Sequence, residues 1–254
     1  MTGGSRGIGL AIARALAAEG ADVALVARDK SSLEAARESV AAGSGRTVIA
    51  VSADTGDDQS VRDMVAGVVA GLGGVDILVN AAARPNTGAV IGLDSFSDAE
   101  FGEHVNVKVL GYLRCIRAVV PHMRAAGWGR IVNISGLAAR SSGSITGTVR
   151  NVAVAALTKN LADELGRDGI NVTVVHPGMT VTERTPGMIA ALAEREGTGE
   201  AEARRRMAAG VSIGRLVTAA EVASVVAFLA SPKSVAVNGD AIAVGGGAVG
   251  PIFY

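Results

Sequence analysis

The chain has 254 residues, of which 49% are hydrophobic and 3% aromatic, and its 24 basic residues balance its 24 acidic ones. This length allows one large α/β domain or two small ones. A formal charge of zero gives no reason to expect a nucleic acid or an anionic membrane surface as partner. No apolar run approaches the roughly 20 residues that span a bilayer. Because glycines and Arg6 interrupt the N-terminus, we expect no signal peptide.

The cysteine and histidine content limits covalent and metal chemistry. Cys115 is the single cysteine, so an internal disulfide is excluded, and this usage suits a reducing cytoplasm. His104, His122 and His176 have no spacing typical of metal ligands. The sequence therefore predicts a cytoplasmic protein that holds no metal.

The first residues predict a turn that binds phosphate. The segment TGGSRGIG at residues 2–9 has glycines at the spacing G-x-x-x-G-x-G, which lets the backbone turn tightly and approach a pyrophosphate. Residues 8–19 have helical apolar periodicity, and Gly20 follows as a C-cap glycine would. The glycines thus precede a helix N-terminus, whose free N–H groups and dipole favour an anion. Taken alone, the glycine pattern also fits an ordinary loop.

Strand and helix patterns alternate along the rest of the chain. Strands are predicted at residues 22–27, 47–52, 75–80, 130–135, 171–175 and 240–244. Helices are predicted at residues 8–19, 31–42, 57–72, 98–126, 148–166 and 219–230. The strands are apolar almost throughout, as in a sheet covered on both faces. The alternation predicts an α/β fold with a doubly wound, Rossmann-type parallel sheet, in a single domain over residues 1–254.

Two segments leave alternatives open. The charged, alanine-rich residues at about 185–210 fit either mobile helices over a substrate cleft or a solvated surface helix pair. At the N-terminus, only Met1 precedes the loop that should follow a central first strand. Without that strand, its neighbours would bury backbone N–H and C=O groups that have no hydrogen-bond partner, and each such group costs about 1–3 kcal/mol. We therefore expect that the given start omits this strand. The alternative is a fold that begins here and compensates for its absence.

The motifs together resemble the short-chain dehydrogenase/reductase family over essentially the whole chain. The matching pieces are residues 2–9, Asp54, residues 80–83, Asn106, residues 130–135, Pro177 and Gly178 with Thr182, residues 214–215, residues 221–223 and residues 239–247. The resemblance implies a strand order of 3-2-1-4-5-6-7, a nicotinamide cofactor and a small-molecule substrate. It also implies a homo-dimer or homo-tetramer packed through the helices at 98–126 and 148–166.

Charge favours NADP(H) over NAD(H) as this cofactor. The second predicted strand ends at Ala27, where a residue holding the ribose hydroxyls of NAD would be acidic, and Arg28 follows. Arg6 adds a second guanidinium, which suits a 2′-phosphate, although Asp29 weakens the argument slightly. By resemblance, the cofactor-binding residues are Gly3, Ser5, Arg6, Gly7, Ile8, Gly9, Arg28, Asp54, Asn80, Ala81, Asn151, Pro177, Gly178 and Thr182.

The family's catalytic pair is absent. In the family, a tyrosine donates a proton to the substrate carbonyl and a lysine four residues later lowers the pKa of that tyrosine. Alignment without gaps of residues 152–159 puts Gly147 and Asn151 at these positions. The chain's only tyrosines are Tyr112 and Tyr254. The catalytic residues that the resemblance still implies are Asn106, Ser135 (with Gly136 as the alternative serine position) and Asn151.

No substitute proton donor is evident from the sequence. Lys108 is expected on the side of its helix opposite to Asn106, and Arg150 stays protonated, so it suits an anionic substrate better than proton donation. General acid catalysis is worth about 10²–10⁴-fold in rate. Without it, hydride transfer to an ordinary ketone should be slow, so three functions remain open. They are an atypical NADP(H)-dependent oxidoreductase, a non-redox enzyme (a cyclase, lyase or isomerase), and an inactive NADP-binding partner or sensor protein.

Overall fold

A parallel sheet between two helical layers organises the chain. The computed structural model describes residues 1–85 and 92–249. The strands are β1 (Val23–Ala27), β2 (Val48–Ser52), β3 (Ile77–Asn80), β4 (Gly129–Ile134), β5 (Ile170–Pro177), β6 (Thr180–Val181), β7 (Val217–Thr218) and β8 (Ala241–Val244). β2 pairs with β1, and β3, β4, β5 and β8 pair in that order, all in parallel. The predicted doubly wound parallel sheet is confirmed.

The helices cover both faces of this sheet. They are α1 (Gly7–Ala18), α2 (Lys30–Ser44), α3 (Asp58–Leu72), α4 (Asp98–Val105), α5 (Gly111–Ala126), α6 (Ile145–Leu165), α7 (Thr185–Glu196), α8 (Glu200–Ala208) and α9 (Ala219–Ala230). One core packs α1, α2 and α9 on the sheet, and the other packs α3, α5 and α6. None of the helices that the structure describes is long and apolar enough to span a membrane.

The helix predicted at residues 98–126 is not a regular α-helix throughout. A π-helical segment, Asn106–Leu110, separates α4 from α5. π-Helical segments are rare in proteins, and those that occur often lie at functional sites. This segment contains both Asn106 and Lys108.

The first two residues lie between β1 and β3, where the first strand is expected. The amide of Val26 donates to the carbonyl of Met1 (2.9 Å), and the amide of Thr2 donates to the carbonyl of Val79 (3.0 Å). Thr2 bridges both strands in parallel. Towards the other end of the two strands lies a cavity of about 320 Å³ lined by Val23, Val68 and Ile77, among other residues. These contacts place the loop at residues 2–9 at the carboxyl edge of the sheet.

Residues 185–210 contain the two predicted helices, α7 and α8. They pack on each other through buried Ile189, Ala193 and Ala203. The residues just before α7, including Thr182, line a cleft at the carboxyl edge of the sheet. The pair is therefore close to the cleft, and its mobility remains a prediction.

The N-terminus of α9 offers a test of local stability. The Thr218 hydroxyl accepts from the amide of Glu221 (3.2 Å), and the Glu221 carboxylate accepts from the amide of Thr218 (2.8 Å). We expect Thr218→Ala to lower the free energy of unfolding by about 0.5–2 kcal/mol in urea denaturation. Ser224→Ala is the control, because that hydroxyl donates only to a carbonyl of its own helix. Equal losses in the two variants would contradict the role of this cap.

Candidate functional site

A cleft of about 990 Å³ opens at the carboxyl edge of the sheet. It lies where the strand order reverses, beside the ends of β1, β3 and β4, which is where such sheets bind ligands. Most of the predicted cofactor-binding residues line it: Gly3, Ser5, Arg6, Gly7, Ile8, Gly9, Arg28, Asp54, Ala81 and Thr182. The structure therefore brings the glycine loop and the ends of several strands to one cleft.

The glycine loop forms one wall of this cleft. Gly3 has a φ of +66°, and a Cβ on it would lie 2.9 Å from the carbonyl carbon of Ala81. A Cβ on Gly9 would lie 2.1 Å from the carbonyl oxygen of Gly3. The helix α1 that follows has no side-chain cap and no acidic residue in its first turn. Its N-terminal N–H groups are therefore available to an anion such as a pyrophosphate.

The end of β1 carries the charged residues from which the sequence predicts a preference for NADP(H). The Asp29 carboxylate accepts from the amide of Ser32 (2.9 Å) and caps α2, and hydrogen bonds from Ser32 lower the pKa of Asp29. The Arg28 guanidinium is mostly exposed and lies 4.0 Å from the Asp54 carboxylate. Arg28 is thus held only loosely, whereas Asp29 is already engaged by its own helix.

Three polar residues interlock where β4 meets the cleft, and we call them the Lys108 cluster: Lys108, Ser135 and Asn151. The Lys108 ammonium donates to the side-chain oxygen of Asn151 (2.8 Å) and to the backbone carbonyl of Ser135 (3.0 Å). The Ser135 hydroxyl donates to the backbone carbonyl of Asn151 (3.0 Å). Two of the predicted catalytic residues, Ser135 and Asn151, are thus brought together. The third member is Lys108, which was not predicted as a substitute proton donor because helical periodicity puts it opposite to Asn106.

Asn106 lies apart from this cluster. Its amide donates to the carbonyl of Gly56 (3.3 Å), and its side-chain oxygen accepts from Arg114 (2.9 Å). Asn106 and Lys108 do face different sides, as expected, but it is Lys108 that faces Ser135 and Asn151. Helical periodicity separates the two sides of a helix but does not show which side packs on the sheet. The contacts of Asn106 therefore give no support to its predicted catalytic role, which remains a prediction.

The Lys108 amine is buried and electrostatically perturbed. The residue is 4% exposed. Burial, and then the charge of Arg150, lower the pKa of Lys108 to about 7. The amine can therefore lose its proton much more readily than an exposed lysine. This shift is typical of lysines that take part in proton transfer.

Arg150 is a second buried cation at the same cleft. It is 7% exposed and lines the cleft. Its guanidinium donates to the carbonyl of Arg84 (3.2 Å) and lies 2.6 Å from Nδ1 of His104. Burial, then the charge of Arg150, lower the pKa of His104, so this ring nitrogen accepts as neutral imidazole. The Nε of Arg150 has no hydrogen-bond partner among the residues that the structure describes.

The other titratable groups near the cluster are poor proton donors at neutral pH. Tyr112 is fully buried, its hydroxyl donates to the carbonyl of Ile134 (2.9 Å), and burial strongly raises its pKa. His176 has a pKa of about 4, lowered by burial first and then by the charges of Arg140 and Lys108. Tyr254 lies outside the described residues. Among the described residues of the site, Lys108 therefore has the pKa most suitable for donating and accepting a proton at neutral pH.

Four predicted cofactor residues do not line the cleft. Asn80 is fully buried and donates to the side chain of Asn133 (3.0 Å). Asn151 belongs to the Lys108 cluster, while Pro177 ends β5 and the amide of Gly178 donates to Val244 (3.1 Å). These residues support the strand ends beneath the cleft, and their contacts with a cofactor remain predictions.

The chain belongs to the short-chain dehydrogenase/reductase family. The family model described as enoyl-(acyl carrier protein) reductase matches residues 3–249. The short-chain reductase protein NovJ of Streptomyces niveus is 35% identical over 97% of this chain and 92% of its own. The (2S)-[(R)-hydroxy(phenyl)methyl]succinyl-CoA dehydrogenase subunit BbsC of Thauera aromatica is 36% identical over 94% of this chain and 89% of its own. The fold and the sequence thus define the same class of protein.

Solved structures agree with this assignment. The L-sorbose reductase of Gluconobacter frateurii, complexed with NADPH and L-sorbose, has a TM-score of 0.92 and 30% identity, over 99% of this chain and 96% of its own. An NAD⁺-bound xylitol dehydrogenase has a TM-score of 0.87 and 26% identity, over 97% of this chain and 96% of its own. Similar proteins therefore include binders of both nicotinamide cofactors.

The close approach of Gly9 to Gly3 generates a test of the loop. Gly9→Ala places a Cβ against a backbone oxygen that cannot move aside easily, so the loop must open. We expect this variant to lose the thermal stabilisation that NADPH gives to the wild type. Gly43→Ala in α2 is the control, since nothing lies within 4 Å of its Cβ position. An undiminished NADPH-induced shift in Gly9→Ala would contradict the assignment of this loop.

Proposed function

We propose that this protein is an NADP(H)-dependent oxidoreductase that interconverts a carbonyl and an alcohol on a small molecule. Its catalytic centre is atypical, with Gly147 and Asn151 in place of the family's tyrosine and lysine. The observation that carries the proposal is the position of the Lys108 cluster at the same cleft as the glycine loop. A bound nicotinamide and a group able to exchange protons would then meet in one site.

The residues at the cleft suit the cofactor. The uncapped N-terminus of α1 would hold the pyrophosphate, and Arg6 and Arg28 would hold a 2′-phosphate. The engagement of Asp29 as the cap of α2 leaves it less free to accept from the ribose hydroxyls of NAD. When bound, the nicotinamide supplies or accepts the hydride, and the protein supplies position, charge and a proton.

Arg28 tests the preference for NADP(H). We expect Arg28→Ala to weaken NADPH binding by about tenfold to a hundredfold, because one charged hydrogen-bonding group is worth about 1.5–3 kcal/mol. NADH binding should change little, and titration calorimetry with both nucleotides measures the difference. Arg37→Ala is the matched control, since Arg37 pairs with Glu34 on the outer part of α2. Equal weakening of NADPH and NADH binding would contradict the proposed role of Arg28.

A homo-oligomer is the proposed state, and α6 is the proposed contact. Ile145, Val149 and Val152 are each 45–48% exposed and follow one another at helical spacing. This stripe on a long helix suits close packing against a second copy. We expect Val149→Lys with Val152→Lys to lower the mass measured by light scattering. Val235→Lys, at another exposed valine, should leave the mass unchanged, and unchanged mass in the double variant would contradict the contact.

A catalytically inactive partner subunit is the second candidate. Two observations favour it: the absence of the tyrosine–lysine pair, and the similarity to a protein named as a dehydrogenase subunit. Such a protein would bind NADP(H) without turnover and would form a stable complex with an active homologue. Hydride transfer would then take place at a nucleotide bound by the active homologue.

Absorbance at 340 nm separates the candidates. The purified protein is incubated with NADPH and with panels of ketones, activated diketones and imines. NADPH oxidation that depends on both acceptor and protein supports the oxidoreductase. NADPH binding in calorimetry with no oxidation by any acceptor contradicts it and favours the partner subunit. A product formed without any change at 340 nm points to a non-redox enzyme.

A further inference from the structure

We infer that Lys108 is the proton donor of this oxidoreductase and that it supplies, from the π-helical segment, the positive charge that Asn151 lacks on α6. The inference rests on the proposed function and names a catalytic residue for it. It assigns Asn151 and Ser135 the role of positioning residues. Arg150 is assigned the role of an electrostatic neighbour that keeps the amine ready to release its proton.

The hydrogen bonds of the Lys108 amine leave one of its donors for a substrate. Protonated lysine has three N–H donors. Two of them point to the Asn151 side chain and the Ser135 carbonyl, at 2.8 and 3.0 Å. Lys108 also lines the cleft. The third N–H is therefore available to a carbonyl oxygen of a substrate beside the cluster.

The positive charge that the family has on α6 is supplied in this chain by the π-helical segment. In this chain the family's lysine position, Asn151, has a neutral amide whose oxygen accepts from Lys108. Two contacts, one from the lysine and one from the Ser135 hydroxyl to the Asn151 backbone, fix the amine against the end of β4. Because Lys108 and Asn151 are both buried, the long lysine side chain is held in place and does not extend into solvent.

The electrostatic surroundings of the amine favour loss of its proton. The charge of Arg150 on α6 acts on the amine, and the charge of the amine acts on His176 on β5. His104 on α4 contacts Arg150, and Tyr112 on α5 donates to a backbone carbonyl at the end of β4. The histidines are kept neutral at neutral pH by burial and nearby cations, and the tyrosine by burial. No carboxylate within the described ranges forms an ion pair with Lys108 or Arg150. A buried ammonium beside an arginine, without a counter-ion, releases its proton readily.

The proton transfer balances with the hydride. A bound NADPH would supply the hydride, with both electrons of the new C–H bond, and would become NADP⁺. The N–H bond of Lys108 breaks, an O–H bond forms on the substrate oxygen, and the lysine nitrogen keeps the electron pair. The neutral amine then takes a proton from water. In the oxidation direction, the neutral amine accepts the proton of the alcohol.

The first experiment needs no substrate. Lys30, Lys108, Lys159 and Lys233 are the lysines of the chain, so ¹³C-lysine NMR gives a small set of resolvable signals. We expect one amine, absent in Lys108→Met, to titrate near pH 7, as its pKa of about 7 requires. Arg150→Gln should raise that value, because one nearby positive charge is removed. Titration of Lys108 near the ordinary lysine value would overturn the inference whether or not a substrate is known.

The second experiment uses the acceptor found at 340 nm. Because only the protonated amine donates, carbonyl reduction should slow as the pH rises through about 7, and alcohol oxidation should quicken. Lys108→Met and Lys108→Arg should each lower kcat by about 10²–10⁴-fold while NADPH binding in calorimetry persists. Lys159→Met, at an exposed lysine, is the matched control.

The outcomes separate the two proposals. Wild-type turnover in Lys108→Arg would overturn the inference, because arginine keeps the charge but does not release a proton. It would leave the oxidoreductase intact. Absence of turnover in the wild type would overturn the proposed function and with it the catalytic role of Lys108. A Lys108 signal near pH 7 with variants that turn over normally would overturn the proton-donor role alone.

Discussion

The hydrogen bond from the Lys108 ammonium to Asn151 is the contact on which the interpretation of this site depends. It joins the π-helical segment to α6 across 43 residues of sequence. With the contact from the same amine to Ser135, it places a cation at the end of β4. Without this contact, the cleft would have a place for a cofactor but no evident group for proton exchange.

The contact has an energetic cost that the fold must carry. A buried amine loses hydration, and the nearby charge of Arg150 adds repulsion. The two hydrogen bonds that Lys108 donates offset part of this cost. The lowered pKa reduces it further, because the amine can become neutral. Residues that served stability alone would not need a buried lysine here, since an apolar side chain of similar volume would avoid the loss of hydration. The cost of burying Lys108 is therefore an argument for its proposed role in proton exchange over a role in packing alone.

Much of the fold could be predicted because the signals are local. Periodicity and strand composition gave each large strand and helix to within a few residues, since a buried parallel strand must be apolar throughout. The glycine loop could also be predicted, because the close approach of Gly9 to Gly3 leaves no space for a side chain. The π-helical segment at Asn106–Leu110 could not, because its apolar pattern differs little from that of the helices on either side.

The sequence by itself determined the family and the glycine-rich turn at residues 2–9, and it predicts Gly147 and Asn151 at the positions of the family's tyrosine and lysine. Each of these depends on residue identity at fixed local spacing, which needs no coordinates. Only the tertiary structure decided that Lys108, and not Asn106, reaches the end of β4. Helical periodicity separates the two sides of a helix, but the packing of that helix on α6 and the sheet determines which side faces the cleft.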